Sequence, residues 1–110
     1  MAKAAGWYVL LDAAALAPTW GLDIGELGDC APDFVSLSFY KVFGYPTGIG
    51  SLVAKKKSLK KLVKPWFAGG TIEIVLDPRA QKPDFVMHEK EKEAHWEDGT
   101  INFQLTLAVR

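Results

Sequence analysis

A strand-like run that ends in one lysine, with a turn directly after it, constrains this fold more than any other feature. Residues 34–39 are mostly apolar, β-branched or aromatic, and they predict a buried strand. Lys41 follows, and Gly44, Pro46 and two further glycines then interrupt the chain. Open α/β sheets bind ligands at the carboxyl ends of their strands. Burial at such an end makes a lysine amine nucleophilic, as a Schiff-base lysine must be.

A second apolar run lies near the start of the chain. Residues 7–12 read WYVLLD, which predicts a short, fully buried strand that ends in the carboxylate of Asp12. Pro18 stops the alanine-rich stretch behind it. The connection to the next strand is about twenty residues long, which suits a crossover between parallel strands. Asp12 and Lys41 are therefore expected at the carboxyl ends of two parallel strands.

The composition narrows the possible classes of protein. A chain of 110 residues forms one domain at most, and 49% hydrophobic residues argue against disorder. Thirteen basic and thirteen acidic residues cancel, so no net charge favours nucleic acid or a membrane surface. The chain has no apolar run of membrane-spanning length and no signal-peptide core, and its single cysteine suits a reducing compartment. We expect a cytoplasmic protein without a metal site that binds neither nucleic acid nor membranes.

Residues 38–52, SFYKVFGYPTGIGSL, carry a specific resemblance. They resemble the pyridoxal-phosphate lysine segment of the molybdenum cofactor sulfurases, which belong to the class V aminotransferase and cysteine desulfurase superfamily. LLDAAALAPT, PWFAGGT and WEDGTINF resemble other segments of the same family. The resemblance implies an α/β fold: residues 1–110 would be an internal fragment of the large pyridoxal-phosphate-binding domain of the aspartate-aminotransferase-like fold (fold type I). It also implies that the strand predicted over residues 48–55 runs antiparallel to its neighbours.

The same resemblance implies the roles of five residues toward pyridoxal 5'-phosphate. Lys41 would be the catalytic residue, which binds the cofactor covalently and moves the α-proton of the substrate. Asp12 would pair with the pyridine nitrogen and keep it protonated, so that the ring can act as an electron sink. Ser38 and Tyr40 would hold the phosphate. Thr47 would approach the phosphate of the partner subunit in the family's homodimer.

The function implied is the transfer of sulfur from L-cysteine to the molybdenum cofactor, with both molecules as substrates. Ala15 stands where many superfamily members have a glutamine that contacts the ring oxygen. Cys30 is not interpreted as the sulfur carrier, because the family's carrier lies much later in the chain; we expect it to be buried or half-buried. Without that carrier and the upstream half of the site, we do not expect this chain to be active alone.

Other interpretations stay open. The chain could be a non-catalytic remnant or partner-binding fragment, or part of a cysteine desulfurase-like enzyme with another acceptor. Residues 55–64 contain six lysines, and they predict a short surface helix with Ser58 as its N-cap rather than a nucleic-acid patch. Residues 71–76 predict a strand and residues 77–84 a loop. His88 and His95 are expected at the surface.

Overall fold

The structure, a computed structural model, describes residues 2–44, 47–77, 79 and 85–109. The chain divides into two units, one made of Met1–Ser58 with Asn102–Arg110 and the other of Leu59–Ile101. Pro46 of the predicted turn, and most of the loop predicted over residues 77–84, lie outside the described residues.

A three-stranded sheet forms the centre of the first unit. Its strands are β1 (Leu10–Asp12), β2 (Phe34–Ser38) and β3 (Gly50–Ala54), in that spatial order. β1 pairs with β2 in parallel, and β3 pairs with β2 antiparallel. Both orientations agree with the expectations from the sequence. The carboxyl ends of β1 and β2 consequently lie side by side at one edge of the sheet.

The first unit also contains short helical elements. Three-ten turns cover Lys3–Ala5 and Gly25–Cys30, and the α-helices are α1 (Phe39–Phe43), α2 (Lys56–Leu59) and α3 (Phe103–Ala108). α1 begins directly after β2, so the strand is one residue shorter than predicted and Lys41 lies in the helical turn beyond it. Gly44 ends α1 with φ of 76°, and its N–H donates to the carbonyl of Tyr40 at 2.8 Å. That left-handed conformation is the usual reason for glycine behind a helix.

The hairpin between β2 and β3 depends on a glycine for a different reason. A Cβ at Gly50 would lie 2.4 Å from the carbonyl oxygen of Leu37, which is less than any real contact of this kind. Since that oxygen belongs to the backbone of the neighbouring strand, no side-chain rotation can relieve the overlap. Gly50 thus allows β3 to pair closely with the strand that leads to Lys41.

The core of the first unit is small. Its buried apolar residues are Ala13, Ala31, Phe34 and Val35. Trp7 and Leu10, by contrast, are 71% and 61% exposed, so the prediction of a fully buried first strand is wrong. β1 is an edge strand, and an apolar strand is buried only where further layers cover it. Cys30, expected to be buried or half-buried, is also exposed because it lies in a surface turn.

A buried carboxylate connects three segments at the amino end of β2. Asp33 accepts hydrogen bonds from the N–H of Val9 and from the hydroxyl of Ser58, both at 2.9 Å. The ammonium of Lys3 lies 3.9 Å from the same carboxylate. Ser58 is buried inside α2, so its predicted role as the N-cap is wrong: its hydroxyl binds Asp33 instead. The predicted helix is correspondingly short, with only Lys56–Leu59 helical.

The second unit contains a two-stranded antiparallel sheet of β4 (Ile72–Val75) and β5 (Phe85–Met87), with three-ten turns at Gly69–Thr71 and Glu93–His95. Lys64, whose side chain is only 4% exposed, pairs with the carboxylate of Asp98. His95 is buried, and its Nδ1 lies 2.5 Å from the carbonyl oxygen of His88. The expectation that His95 lies at the surface is therefore wrong.

Within the described ranges, no helix combines the length and the apolar character that crossing a membrane requires.

Candidate functional site

The carboxylate of Asp12 ends β1 and is held by two hydrogen bonds. The main-chain N–H of Ala14 donates to its Oδ1 at 3.0 Å, and the hydroxyl of Ser36 donates to the same oxygen at 3.2 Å. Ser36 is the residue of β2 that pairs with Asp12 in the sheet. One oxygen of the carboxylate thus has two donors. The other oxygen has no donor in the part of the chain that the structure describes.

Lys41 follows the neighbouring strand. It lies in α1, three residues after β2 ends, and its side chain is exposed. Its Nζ lies 5.9 Å from the centre of the Tyr40 ring, within the range of a cation–π interaction. The position at a strand end predicts a buried lysine. Because Lys41 is exposed, the expectation of a buried lysine is wrong for this chain.

The other three predicted site residues lie along the same connection. Ser38 is the last residue of β2 and occupies the N-cap position of α1, but its hydroxyl makes no capping hydrogen bond. Tyr40 is in α1 and is 41% exposed. Thr47 is exposed in the turn that leads into β3. The fold therefore places Ser38, Tyr40 and Lys41 within one helical turn, and Thr47 further along, on the far side of the hairpin turn.

This donor set suits a phosphorylated pyridine aldehyde. An amine is available for the aldehyde, and two hydroxyls near it are free of capping bonds or exposed. The unshared oxygen of Asp12 can accept the N–H of a protonated pyridine ring, which is a charge-assisted hydrogen bond. The residues present thus fit the cofactor that the sequence resemblance implies.

Ser36 is a site residue that the sequence does not predict. A serine in the middle of a strand carries no signal of its own, because its contact with Asp12 depends on the register between two strands. In the register that the structure shows, Ser36 is paired with Asp12, and this places the hydroxyl beside the carboxylate.

A cleft of the first unit lies elsewhere. It measures about 350 Å³, and none of the five predicted site residues lines it. Its walls are Leu11, Leu16, Trp20, Gly21, Leu22, Asp23, Glu26 and Leu27. We place the candidate site at the strand ends rather than in this cleft, because the reactive side chains are at the strand ends. Nor do any three metal-binding side chains of the described residues lie close enough together to hold a metal ion.

Comparison with known proteins identifies the family of this chain. Residues 1–107 match the sequence model of the aminotransferase class-V family. Molybdenum cofactor sulfurase of Bombyx mori is 42% identical over 106 residues, which are 94% of this chain and 12% of that protein. Its counterparts in Caenorhabditis briggsae and Homo sapiens are 47% identical over 97 residues and 39% over 104. This chain spans 13% and 11% of their lengths.

Among solved structures, the apo form of a cysteine desulfurase from Thermococcus onnurineus NA1 is similar, with a TM-score of 0.71 and 25% sequence identity. The match covers 97% of this chain and 24% of that one. Together these findings confirm the resemblance to molybdenum cofactor sulfurases and the assignment to part of the fold type I α/β architecture. The chain belongs to the class-V aminotransferase family.

Proposed function

We propose that this chain carries the cofactor-binding lysine segment of a molybdenum cofactor sulfurase that depends on pyridoxal 5'-phosphate. One observation supports it above all: Asp12 and Lys41 follow two adjacent parallel strands, at the same edge of one sheet. The carboxylate and the amine are the two groups that must meet opposite ends of a pyridoxal ring. The similarity to sulfurases over 88–94% of this chain supports the molybdenum cofactor as the proposed acceptor of sulfur.

Each residue has a defined task in this proposal. Lys41 binds the cofactor covalently and afterwards accepts and returns the α-proton of the substrate. Asp12 holds the proton on the ring nitrogen. Ser38 and Tyr40 donate hydrogen bonds to the phosphate, and Thr47 does so for the partner subunit of a homodimer. When bound, the cofactor supplies an electron sink for the substrate's bonding electrons.

The proposed reaction is the transfer of sulfur from L-cysteine to the molybdenum cofactor. The chain spans only 11–13% of the length of these sulfurases. We therefore propose the complete reaction for a longer protein, of which residues 1–110 form a fragment. We expect that protein to be cytoplasmic. We do not expect the chain to complete the transfer alone.

The similarity to a cysteine desulfurase favours a second candidate, a desulfurase-like enzyme that delivers sulfur to another acceptor. Both candidates use the same lysine and the same carboxylate, and they differ only after sulfur has left the substrate. A sulfur-transfer assay with the molybdenum cofactor as acceptor distinguishes them.

Cofactor attachment is tested on the chain itself. Incubation with pyridoxal phosphate, reduction with borohydride and peptide mapping should place most of the reduced adduct on Lys41. Lys41→Ala should lose that adduct. The matched control is Lys56→Ala, because Lys56 is also an exposed lysine in a short helix, and it should keep the adduct. Equal labelling of Lys41 and Lys56 would show that the reaction is an unspecific one of surface amines and would refute the assignment.

A further inference from the structure

Ser36 contacts the segment that carries Asp12 in two ways. Its hydroxyl donates to Oδ1 of Asp12 at 3.2 Å. Its carbonyl accepts the N–H of Ala13, the fully buried residue directly after Asp12, at 3.0 Å. The backbone behind the carboxylate and the carboxylate itself are therefore both attached to the same residue of β2.

These contacts matter because little else restrains the Asp12 side chain. It is exposed, so packing does not fix it. Without hydrogen bonds, the first side-chain torsion of an exposed aspartate samples several staggered wells. Its last torsion is broad and nearly two-fold, so its two oxygens exchange places. The N–H of Ala14 belongs to the same turn and moves together with Asp12. The hydroxyl of Ser36 is the only hydrogen bond, among the described residues, that links this carboxylate to another strand.

We infer that Ser36 is a positioning residue for the cofactor: it fixes the carboxylate of Asp12 by occupying Oδ1, so that Oδ2 remains to accept the ring N–H of pyridoxal phosphate. The inference rests on the role proposed for Asp12 in cofactor binding. Ser36 itself touches no reacting atom. Its contribution is that Asp12 is already oriented before the ring arrives, so less conformational freedom is lost on binding.

The first experiment needs no cofactor. Hα–Hβ couplings of Asp12, measured by NMR on the full chain, should show one rotamer in the wild type and averaging in Ser36→Ala. Ser36→Thr, which keeps the hydroxyl, should restore the single rotamer. Ser51→Ala is the matched control, since Ser51 is a half-buried serine on β3 whose hydroxyl makes no hydrogen bond within the described ranges, and it should change nothing. Unchanged couplings in Ser36→Ala, or averaged couplings already in the wild type, would overturn the inference.

The second experiment asks whether Ser36 acts through Asp12. Removal of a hydrogen bond to a charged group should weaken pyridoxal-phosphate binding about tenfold in Ser36→Ala. In the Asp12→Ala background the same substitution should have no effect, because the group that it positions is missing. The ¹⁵N shift of labelled cofactor should move toward that of a neutral pyridine in Ser36→Ala and return in Ser36→Thr. An equal loss of affinity in both backgrounds would show that Ser36 acts elsewhere.

The two experiments separate the inference from the proposed function. A wild-type chain that binds no pyridoxal phosphate would contradict the proposed function, while the couplings of Asp12 still decide whether Ser36 positions it. If Ser36→Ala fails to give a dispersed spectrum, Ser36→Cys replaces it, because the thiol keeps the volume and is a weaker donor.

Discussion

At the scale of the residue, two aspartates at opposite ends of the parallel strand pair have opposite environments. Asp33, before β2, is buried, and both of its oxygens accept hydrogen bonds from protein groups. Asp12, after β1, is exposed and keeps one oxygen without a donor in the described part of the chain. The first therefore stabilises the fold, and the second remains available for chemistry.

Asp33 gives the chain a predictable response to acid. The hydrogen bond from the N–H of Val9 lowers the pKa of Asp33, although burial opposes the shift. The hydrogen bond from the hydroxyl of Ser58 and the positive charges of Lys3 and Lys55 lower it further. Since its pKa is lower in the folded chain than in the unfolded chain, ionised Asp33 favours folding. This stabilisation is complete above the ordinary pKa of an aspartate, about 4, and is lost as the pH falls through the lower folded value.

We therefore expect the free energy of unfolding, from urea titrations at a series of pH values, to fall steeply below about pH 4 in the wild type. Asp33→Asn should be less stable at neutral pH and should show a shallower fall in that window. Ser58→Ala removes one of the two hydrogen-bond donors to Asp33. Its free energy of unfolding at neutral pH should lie between those of the wild type and Asp33→Asn. Parallel curves for the wild type and Asp33→Asn would mean that other carboxyl groups cause the acid response.

At the scale of the element, the hairpin of β2 and β3 depends on the absence of one methyl group. Gly50→Ala should destabilise the first unit by about 1–3 kcal/mol, because its Cβ would overlap the carbonyl of Leu37 and the two strands would have to separate. Chemical denaturation measures this difference. The matched control is Gly21→Ala in the same unit, where a Cβ meets nothing within 4 Å. Equal effects of the two substitutions would show that the overlap with Leu37 does not determine the stability of the hairpin.

The elements also show how far the sequence predicts this fold. β2 and the antiparallel β3 follow from hydrophobic runs, glycines and the family resemblance, and the structure contains them. The sequence also predicts Asp12 and Lys41 at the ends of two parallel strands, and the structure shows that these strands are adjacent. The roles of the five site residues stay predictions.

The features that the sequence did not predict all depend on tertiary contacts. Ser58 has the residue type and position of an N-cap, but a buried carboxylate twenty-five residues away takes its hydroxyl. His95 lies in a charged stretch typical of the surface, yet a main-chain carbonyl holds its ring inside the second unit. Local patterns do not report such partners, because the contact is made only when distant segments meet.

At the scale of the whole molecule, the apolar runs of the sequence are far more exposed than their pattern predicts. An uninterrupted apolar run predicts a strand covered on both faces, and Trp7, Tyr8 and Leu10 form such a run. All three are more than half exposed. Pattern and burial differ because an apolar run indicates that a strand is suited to cover on both faces. Its exposure depends on whether other segments of these 110 residues pack against it. Apolar side chains are likewise exposed on β3, at Leu52 and Val53.

The order of the strands in the chain has a consequence in time. β2 and β3 are joined by eleven residues, part of which already forms α1, whereas the parallel pair is joined by residues 13–33. A loop about twice as long costs about 0.6 kcal/mol more to close, and helical structure in the shorter connection widens the gap. We expect pulsed amide exchange during refolding to protect Lys55, whose N–H donates to the carbonyl of Asp33 across the hairpin, before Ala13, whose N–H is bonded only after β1 has joined β2. Simultaneous protection would contradict this order. In the expected order, the segment of Lys41 folds first and the carboxylate of Asp12 reaches its position last.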